Sequence, residues 1–363
     1  REVYLDNSAT TKVDPRVTEA MLPYFSEKYG NPNSLHKFGR EARAAIDNAR
    51  AQVASLINAK PTDIIFTGAG SEADNLAIKG AAWALKEKGK GSHIITSAIE
   101  HHAILHTLEA LQAEGFTVTL LPVNREGQVE PAALEQALTP ETALVSIMAA
   151  NNETGAIQPI ARLAALAHAR GALFHTDAVQ ALGHIPLTLK DTDIDFLSGS
   201  AHKFHGPKGV GILFTRRGIE LESLIFGGEQ ERGKRAGTEN VPGIVGMAAA
   251  LEEAIRNLEA NASRMAAARD ALEQQLLTLP GTRVHSGQVP RLPGHLNMAF
   301  DGVPAEALLP VLGMAGICVS AGSACASGSP EPSHVLLALG CTPEEARCSL
   351  RFSLGDDITL EQV

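Results

Sequence analysis

The sequence predicts an α/β fold with a mostly parallel sheet, followed by a smaller α+β domain. Short apolar segments alternate with helical patterns from near the start to about residue 245. Polar clusters directly follow several apolar segments, which is where ligand-binding groups gather in parallel sheets. From about Gly246 the pattern changes to a long Ala-rich helix and then to short strands. We therefore predict a large domain over 13–250, and a small domain formed by 1–12 and 251–363.

The first elements carry recognisable start signals. "DPRVTEAMLPYF" has Asp14 as a candidate N-cap and Pro15 at the first helical position. "GREARAAIDNARAQVASLI" has the apolar period of a helix. "DIIFTGAG" predicts a strand that enters a glycine turn. The helix "SEADNLAIKGAAWALKEKGK" follows, in which Ser71 and Asp74 have the spacing of a capping box.

The later elements continue the alternation. Strands are expected in "SHIITSAIE", "FTVTLLPV", "ALVSIMAANNETG", "ALFHTDAVQ", "DFLSGSAHK" and "VGILFTRR", with helices in "AILHTLEALQAEG" and "IARLAALAHARG". The small domain is expected to begin with one long helix, "GMAAALEEAIRNLEANASRMAAARDALEQQLLTL". Strands "TRVHS", "HLNMAF" and "CSLRFSL" and a helix near "PAEALLPVLGMAG" complete it.

Composition excludes several classes of protein. The 363 residues carry a formal net charge of −10 and no Lys/Arg tract, which argues against nucleic acid as the main partner. No run of 18 apolar residues is present, so no membrane span is expected. Four cysteines without a CxxC pair indicate a reducing compartment, and we expect a cytoplasmic protein. No cluster of His, Cys, Asp or Glu has the spacing of a metal site.

One cysteine differs from the others in its surroundings. Cys325 lies in "SAGSACASGSPEPSHVL", among Ser, Ala and Gly, a composition that favours a mobile loop over about 320–333. A core cysteine usually has apolar neighbours. The remaining cysteines are expected to be buried small side chains: Cys318, Cys341 and Cys348.

Three separate signals point to a phosphorylated aldehyde cofactor. Lys203 follows a strand pattern; it is either an ordinary solvated lysine or a Schiff-base lysine for pyridoxal phosphate (PLP). Asp177, 26 residues earlier, could hold the pyridine nitrogen. Gly70 and Ser71 stand where a helix N-terminus could bind the phosphate. Each signal is weak alone, but their order, each at the end of a strand, is much more specific.

The sequence resembles the NifS/IscS-like cysteine desulfurases of the class V aminotransferase superfamily. The resemblance covers almost the whole chain and rests on "YLDNSATT", "NNETG", "HTDAVQ", "SAHKFHGPKG", "ERGKRAGTEN", "GSACASG" and "RFSLG". It implies PLP fold type I, with a mostly parallel seven-stranded sheet in the large domain. The phosphate turn departs from the family pattern because Ser71 stands where threonine is frequent, but a hydroxyl is kept.

The resemblance also implies how PLP is held. Lys203 matches the lysine bonded to PLP, and Asp177 matches the partner of the pyridine nitrogen. His101 matches a histidine that stacks on the cofactor ring and can move protons. Thr238 matches a phosphate contact from a second subunit, so a homodimer is implied. The other cofactor-binding residues implied are Gln180, Gly70, Ser71, Ser200 and His202.

The implied reaction converts L-cysteine into L-alanine. Asn152 and Arg351 match residues that hold the substrate carboxylate, a group that the planar arginine fork binds through two hydrogen bonds. Cys325, Lys203 and His101 match the catalytic residues, and Cys325 receives the sulfur as a persulfide. The sulfur would pass to an acceptor protein such as an iron–sulfur scaffold, or serve tRNA thiolation.

Two other functions stay open at the level of sequence. A selenocysteine lyase or another class V PLP aminotransferase would share Lys203 and Asp177, although a transaminase has no need of a thiol in a loop. A non-catalytic scaffold for iron–sulfur assembly belongs to a different class. Such a scaffold would tolerate loss of Lys203, Cys325 or Arg351, and all three are present.

Overall fold

The structure is a computed structural model that describes residues 2–190, 192–322 and 331–363. The strands are β1 (Val3–Tyr4), β2 (Ile64–Thr67), β3 (His93–Ser97), β4 (Thr117–Leu121), β5 (Thr142–Ser146), β6 (Leu173–Asp177), β7 (Phe196–Ser200), β8 (Gly211–Thr215), β9 (Thr282–His285), β10 (His295–Phe300), β11 (Ile317–Cys318) and β12 (Ser349–Ser353). Cys325 lies outside the described residues.

The helices alternate with these strands through the first two thirds of the chain. They are α1 (Pro15–Met21), α2 (Pro23–Ser26), α3 (Lys37–Leu56), α4 (Gly70–Glu87), α5 (His102–Ala113), α6 (Pro131–Ala137), α7 (Ile160–Ala169), α8 (Val241–Arg256), α9 (Leu258–Leu276), α10 (Ala305–Met314), α11 (His334–Ala338) and α12 (Pro343–Arg347). Within the described ranges, no helix has both the length and the hydropathy that crossing a membrane requires.

The central sheet has seven strands in the order β2-β8-β7-β6-β5-β3-β4. Neighbouring strands from β7 to β4 pair in parallel, whereas β8 runs antiparallel to both β7 and β2. The predicted mostly parallel seven-stranded sheet is confirmed. Since the parallel strands share one direction, their carboxyl ends meet at one edge, and β6 and β7 lie at its centre.

Helices cover both faces of this sheet because its strands are apolar on both sides. Phe196 and Leu197, adjacent on β7, point to opposite faces, as strand geometry requires. Leu197 packs in the core that includes Ile46 of α3, and Phe196 packs in the core that includes Leu76 of α4. The sheet is thus held rigidly between two apolar layers.

A second, smaller sheet has the antiparallel order β12-β10-β9. Its core includes Leu296 and Leu350 from the sheet, Leu272 from α9 and Leu5 from near the start of the chain. β1 pairs in parallel with β11, so the first residues belong to this region of the molecule. The domain boundaries 1–12, 13–250 and 251–363 stay a prediction.

The long Ala-rich helix expected after Gly246 is in fact two helices. Helix α8 ends at Arg256, and α9 begins at Leu258. Asn257 between them has φ −103° and ψ 9°, and its Nδ2 donates to the carbonyl of Glu253 at 2.9 Å. An asparagine side chain competes with the helix for backbone hydrogen bonds, which interrupts an otherwise continuous helical pattern.

The two predicted helix caps have different outcomes. Asp14 is the N-cap of α1 and accepts from the backbone N–H of Arg16 at 2.8 Å, as predicted. The capping box of Ser71 and Asp74 is wrong, because α4 begins earlier, at Gly70. Instead, Glu72 Oε2 accepts from the backbone N–H of Gly68 at 2.8 Å, which leaves Asp74 to turn inward.

The prediction that Cys318, Cys341 and Cys348 are all buried is wrong. Cys348 is buried, Cys341 is partly exposed, and Cys318 is exposed. Cys318 is exposed because it lies on β11, which pairs only with β1 in a two-stranded sheet of the described structure.

Candidate active site

A cavity of about 430 Å³ opens at the carboxyl ends of β6 and β7. It brings together ten of the residues predicted for the site: Gly70, Ser71, His101, Asn152, Asp177, Gln180, Ser200, His202, Lys203 and Arg351. Thr238 is exposed and does not line the cavity, and Cys325 lies outside the described residues. Residues that are up to 281 positions apart in sequence (Gly70 and Arg351) therefore meet at one site.

Lys203 lies in the tight turn Ala201–Lys203 that directly follows β7. Its Nζ donates to the backbone carbonyls of Ser8 at 2.5 Å and Ala9 at 2.9 Å. Its own carbonyl contacts His184 Nε2 at 2.7 Å, which fixes the backbone at the other end. The ammonium group is thus held in the cavity wall by the N-terminal stretch of the chain.

Asp177 is the last residue of β6 and is only 6% exposed. The backbone N–H of Val179 donates to its Oδ1 at 2.9 Å, which orients the carboxyl group. Burial raises the pKa of Asp177 to about 6, although the Val179 hydrogen bond and the charge of Lys203 both act to lower it. A buried carboxyl of this kind gains from a positive charge beside it.

The start of α4 forms a narrow cradle at the cavity floor. A Cβ atom added to Gly70 would lie 2.7 Å from Val179 Cγ2 and 3.2 Å from Ser200 Cβ, so only glycine fits without displacement. The helix has 18 residues, and no described side chain caps Ala69 at its N-terminus. The positive end of the helix dipole and its N–H groups are therefore suited to an anion.

Two histidines in the cavity are uncharged at neutral pH. Burial lowers the pKa of His101 to about 4, and it lowers the pKa of His202 to about 4 as well. His101 is the N-cap of α5, and its Nδ1 accepts from the backbone N–H of Ala103 at 3.1 Å. The proton of neutral His101 therefore lies on Nε2.

Arg351 enters the cavity from β12 of the small sheet and is 1% exposed. Its guanidinium donates to Asp6 Oδ1 at 2.8 Å and to the carbonyl of Asn152 at 3.1 Å. Its Nε is buried and has no hydrogen-bond partner among the described residues. An arginine with an unused donor in a cavity is well suited to a carboxylate ligand.

Sequence reasoning missed one acidic side chain in the cavity. Asp74 is 1% exposed, and its Oδ1 is buried without a hydrogen-bond partner among the described residues. Burial, and then the charge of Asp177, raises the pKa of Asp74 well above its usual value. One signal was available, since Asp74 follows Gly70 by four residues and therefore shares its helix face.

Comparison with known proteins agrees with this arrangement. The model of the family described as "Aminotransferase class-V" matches residues 3–363. The chain belongs to this family. It is 49% identical to a protein named cysteine desulfurase IscS from Clostridium botulinum, over all of this chain and 92% of the relative. It is 50% identical to a cysteine desulfurase from Trichormus azollae, over 97% of this chain and 88% of the relative.

Solved structures of this family have the same fold. A NifS-like protein superimposes with a TM-score of 0.93 at 41% identity, covering 100% of this chain and 96% of the other. A protein described as "SspA in complex with cysteine" has a TM-score of 0.87 at 36% identity, covering 98% and 99% of the two chains. The predicted NifS/IscS-like class V fold is thereby confirmed.

Proposed function

We propose that this member of the class V family is a cysteine desulfurase that converts L-cysteine into L-alanine with PLP as cofactor. The observation that carries the proposal is the single cavity that joins Lys203, Asp177 and Arg351. The names of the curated relatives support the same activity. The sulfur atom would be received by Cys325 as a persulfide and passed to an acceptor, such as an iron–sulfur scaffold protein or a tRNA-thiolating system.

The cavity fits PLP at each of its polar groups. The Gly70 cradle and the N-terminus of α4 suit the phosphate, together with Ser71, Ser200 and His202. Lys203 would hold the aldehyde carbon covalently, and Gln180 would bind the phenolic oxygen. Asp177 would pair with the pyridine nitrogen, because a positive nitrogen there compensates its burial. When bound, PLP supplies an electron sink that weakens the bonds at the substrate Cα.

The residues around this cofactor have separate tasks. Arg351 and Asn152 would hold the cysteine carboxylate and so orient its Cα. The Lys203 amine would move the proton at Cα. His101, neutral and with its proton on Nε2, suits hydrogen-bond donation. The Cys325 thiolate would take the substrate sulfur atom, and the carbon skeleton would leave as alanine after protonation.

We further propose that two copies of the chain form a homodimer. Thr238 is exposed and does not line the cavity of its own chain, which agrees with a contact to the phosphate of a second copy. The four cysteines without a disulfide pattern favour a reducing compartment such as the cytoplasm.

Cys325→Ser tests the proposal. We expect the variant to keep its PLP absorbance and to lose alanine formation from cysteine, because a hydroxyl cannot store sulfur as a persulfide. Cys318→Ser is the matched control, since this thiol is exposed and does not line the cavity; it should be fully active. Normal alanine formation by Cys325→Ser would contradict the role of Cys325.

Two further measurements separate the other functions. Rates of alanine formation from cysteine and from selenocysteine distinguish a desulfurase from a selenocysteine lyase. A scaffold without catalytic function would show no PLP absorbance and no bleaching by borohydride. Absence of this absorbance in freshly purified protein would contradict every function that requires PLP, including those of a cysteine desulfurase, a selenocysteine lyase and an aminotransferase.

A further inference from the structure

Glu153 is a buried carboxylate that none of the roles assigned above uses. It lies next to Asn152, in the turn "NNETG" after β5, and is 2% exposed. Its backbone N–H donates to Asn151 Oδ1 at 2.9 Å, and its carbonyl accepts from Asn297 Nδ2 at 3.3 Å. The backbone of Glu153 is therefore held in place directly beside Asn152, which lines the cavity. Burying a carboxylate is costly unless its contacts compensate for the lost water.

The carboxylate of Glu153 lies against both flanks of the stretch that contains Cys325. Ser333 Oγ donates to Glu153 Oε2 at 2.5 Å. A Cβ atom added to Gly322 would lie 3.4 Å from that same oxygen. Gly322 and Ser333 border the stretch from the two sides, at sequence positions 3 before and 8 after Cys325. One oxygen atom thus bonds to one point of the chain and lies close to another that is 11 residues away.

These flanks are also tied to the groups that face the substrate. Ser320 and Arg351 exchange two backbone hydrogen bonds, of 3.2 Å and 2.7 Å. His334 Nε2 contacts the carbonyl of Glu100 at 2.9 Å, directly beside His101. One flank is therefore bonded to Arg351, the residue proposed to bind the carboxylate. The other flank is bonded to Glu100, the neighbour of His101. Glu153 lies between the two flanks, since it is hydrogen-bonded to Ser333 and close to Gly322.

We propose that Glu153 is a positioning residue for sulfur transfer, which sets where the Cys325 thiol is delivered relative to the bound cysteine. The proposal rests on the proposed function. A displacement of about 1 Å in a reacting group can cost up to about 10²-fold in rate. A carboxylate that is hydrogen-bonded to one flank and close to the other limits such displacements. It acts through the chain it holds and touches neither substrate nor cofactor.

The test compares Glu153→Gln with the wild-type holoenzyme. The amide keeps the size of the side chain but loses the charge that strengthens the bond from Ser333. We expect kcat for alanine formation to fall about tenfold. PLP content, KM for cysteine and the spectral change on cysteine addition should stay within about twofold, because the groups that bind PLP and substrate are untouched. A purely structural role would instead lower PLP content and kcat and raise KM together.

Two further variants, Ser333→Ala and the double variant Glu153→Gln/Ser333→Ala, ensure that the test does not depend on a single substitution. If the two residues act through one contact, the double variant should be no slower than Glu153→Gln alone. Ser333→Ala removes a single hydroxyl, so it keeps the test available if Glu153→Gln does not fold. Unchanged kcat in both single variants, or additive losses in the double variant, would overturn the proposal.

Glu345→Gln is the matched control. Glu345 also contacts a helix start, because its Oε2 accepts from the backbone N–H of Thr342 at 2.7 Å. This variant should lower thermal stability slightly and leave kcat unchanged. A fall in kcat equal to that of Glu153→Gln would overturn the proposal. Activity that survives in Cys325→Ser would instead refute the proposed function, so the two failures are distinguishable.

Discussion

The two sides of the cavity are held in different ways. On the sheet side, Asp177, Ser200 and Lys203 end or directly follow buried strands, so the backbone fixes them. On the opposite side, Arg351 lies on β12 of the small sheet, and its guanidinium is held by distant parts of the chain, such as its ion pair with Asp6. The sheet side suits rigid binding of a cofactor. The opposite side depends on a few individual contacts, so substitutions there should change substrate handling more than cofactor binding.

The largest effect is expected on the sheet side, from Lys203→Ala. Loss of the amine should reduce alanine formation by at least about 10³-fold, because both the proposed covalent link to PLP and the proposed proton carrier are lost. After borohydride treatment, the intact mass of the wild-type chain should increase by one reduced PLP, and the mass of the variant should not. A variant that still fixes PLP would show that another lysine holds it.

Arg351→Lys tests the opposite side. A lysine keeps the charge but loses the planar fork, so KM for cysteine should rise about 10- to 100-fold. The PLP absorbance should be unchanged, because Arg351 belongs to the small sheet and its guanidinium contacts Asp6 and Asn152, not the residues proposed to hold PLP. Steady-state kinetics and PLP titration measure the two quantities separately. Loss of PLP together with the rise in KM would contradict the claim that this side of the cavity affects substrate binding and not cofactor binding.

Gly70→Ala should affect cofactor binding alone. The added Cβ would lie 2.7 Å from Val179 Cγ2, so the cradle must widen, and we expect PLP affinity to fall roughly tenfold. Gly313→Ala, in α10, is the matched control, because its added Cβ meets no described atom within 4 Å. That change should leave PLP binding unchanged and raise stability by up to about 1 kcal/mol. Equal PLP affinity in both variants would contradict the proposal that the cradle at Gly70 holds the PLP phosphate.

The smallest effect concerns stability in acid. Burial lowers the pKa of His285 on β9 to about 4, from 6.5 when unfolded. The unfolded chain binds the proton first, so this stability is complete above pH 6.5 and is lost as the pH falls towards 4. At pH 5 the loss is about 1–2 kcal/mol. His285→Gln should flatten the dependence of unfolding free energy on pH between 7.5 and 5.

His175→Gln gives the same comparison on the sheet side. Burial lowers the pKa of His175 to about 3, so its stability contribution is likewise lost as the pH falls below 6.5. His175 also contacts Ser146 Oγ at 2.8 Å and Ser198 Oγ at 2.9 Å. Urea titrations at pH 7.5 and pH 5 measure both variants. A pH dependence equal to that of the wild type in both would contradict the assigned burial.

The sequence predicted what depends on local pattern. The alternation of strands and helices predicted the parallel sheet, and strand ends placed Lys203 and Asp177 at one edge of it. The motifs identified the class V family, which the family match confirms. Arg351 was predicted only through the resemblance, because its place beside Asp6 depends on a pairing across 345 residues.

What the sequence did not predict depends on competition between neighbouring groups. The helix break at Asn257 arose from a side-chain amide that bonds to the backbone of Glu253. The failed capping box arose because Glu72 bonds to Gly68 and leaves Asp74 buried in the cavity. Glu153 showed no signal of its own, since its partner Ser333 is 180 residues away.

The contact between Asp6 and Arg351 has a consequence for synthesis of the protein. Asp6 leaves the ribosome 345 residues before Arg351, so the two can pair only after every residue between them has been made. The cradle at Gly70 and the turn at Lys203 can form long before that. The residues proposed to bind PLP are therefore all synthesised before the arginine proposed to hold the cysteine carboxylate. Arg351 is the last of the cavity residues to be made, so the proposed substrate site is completed after the proposed cofactor site.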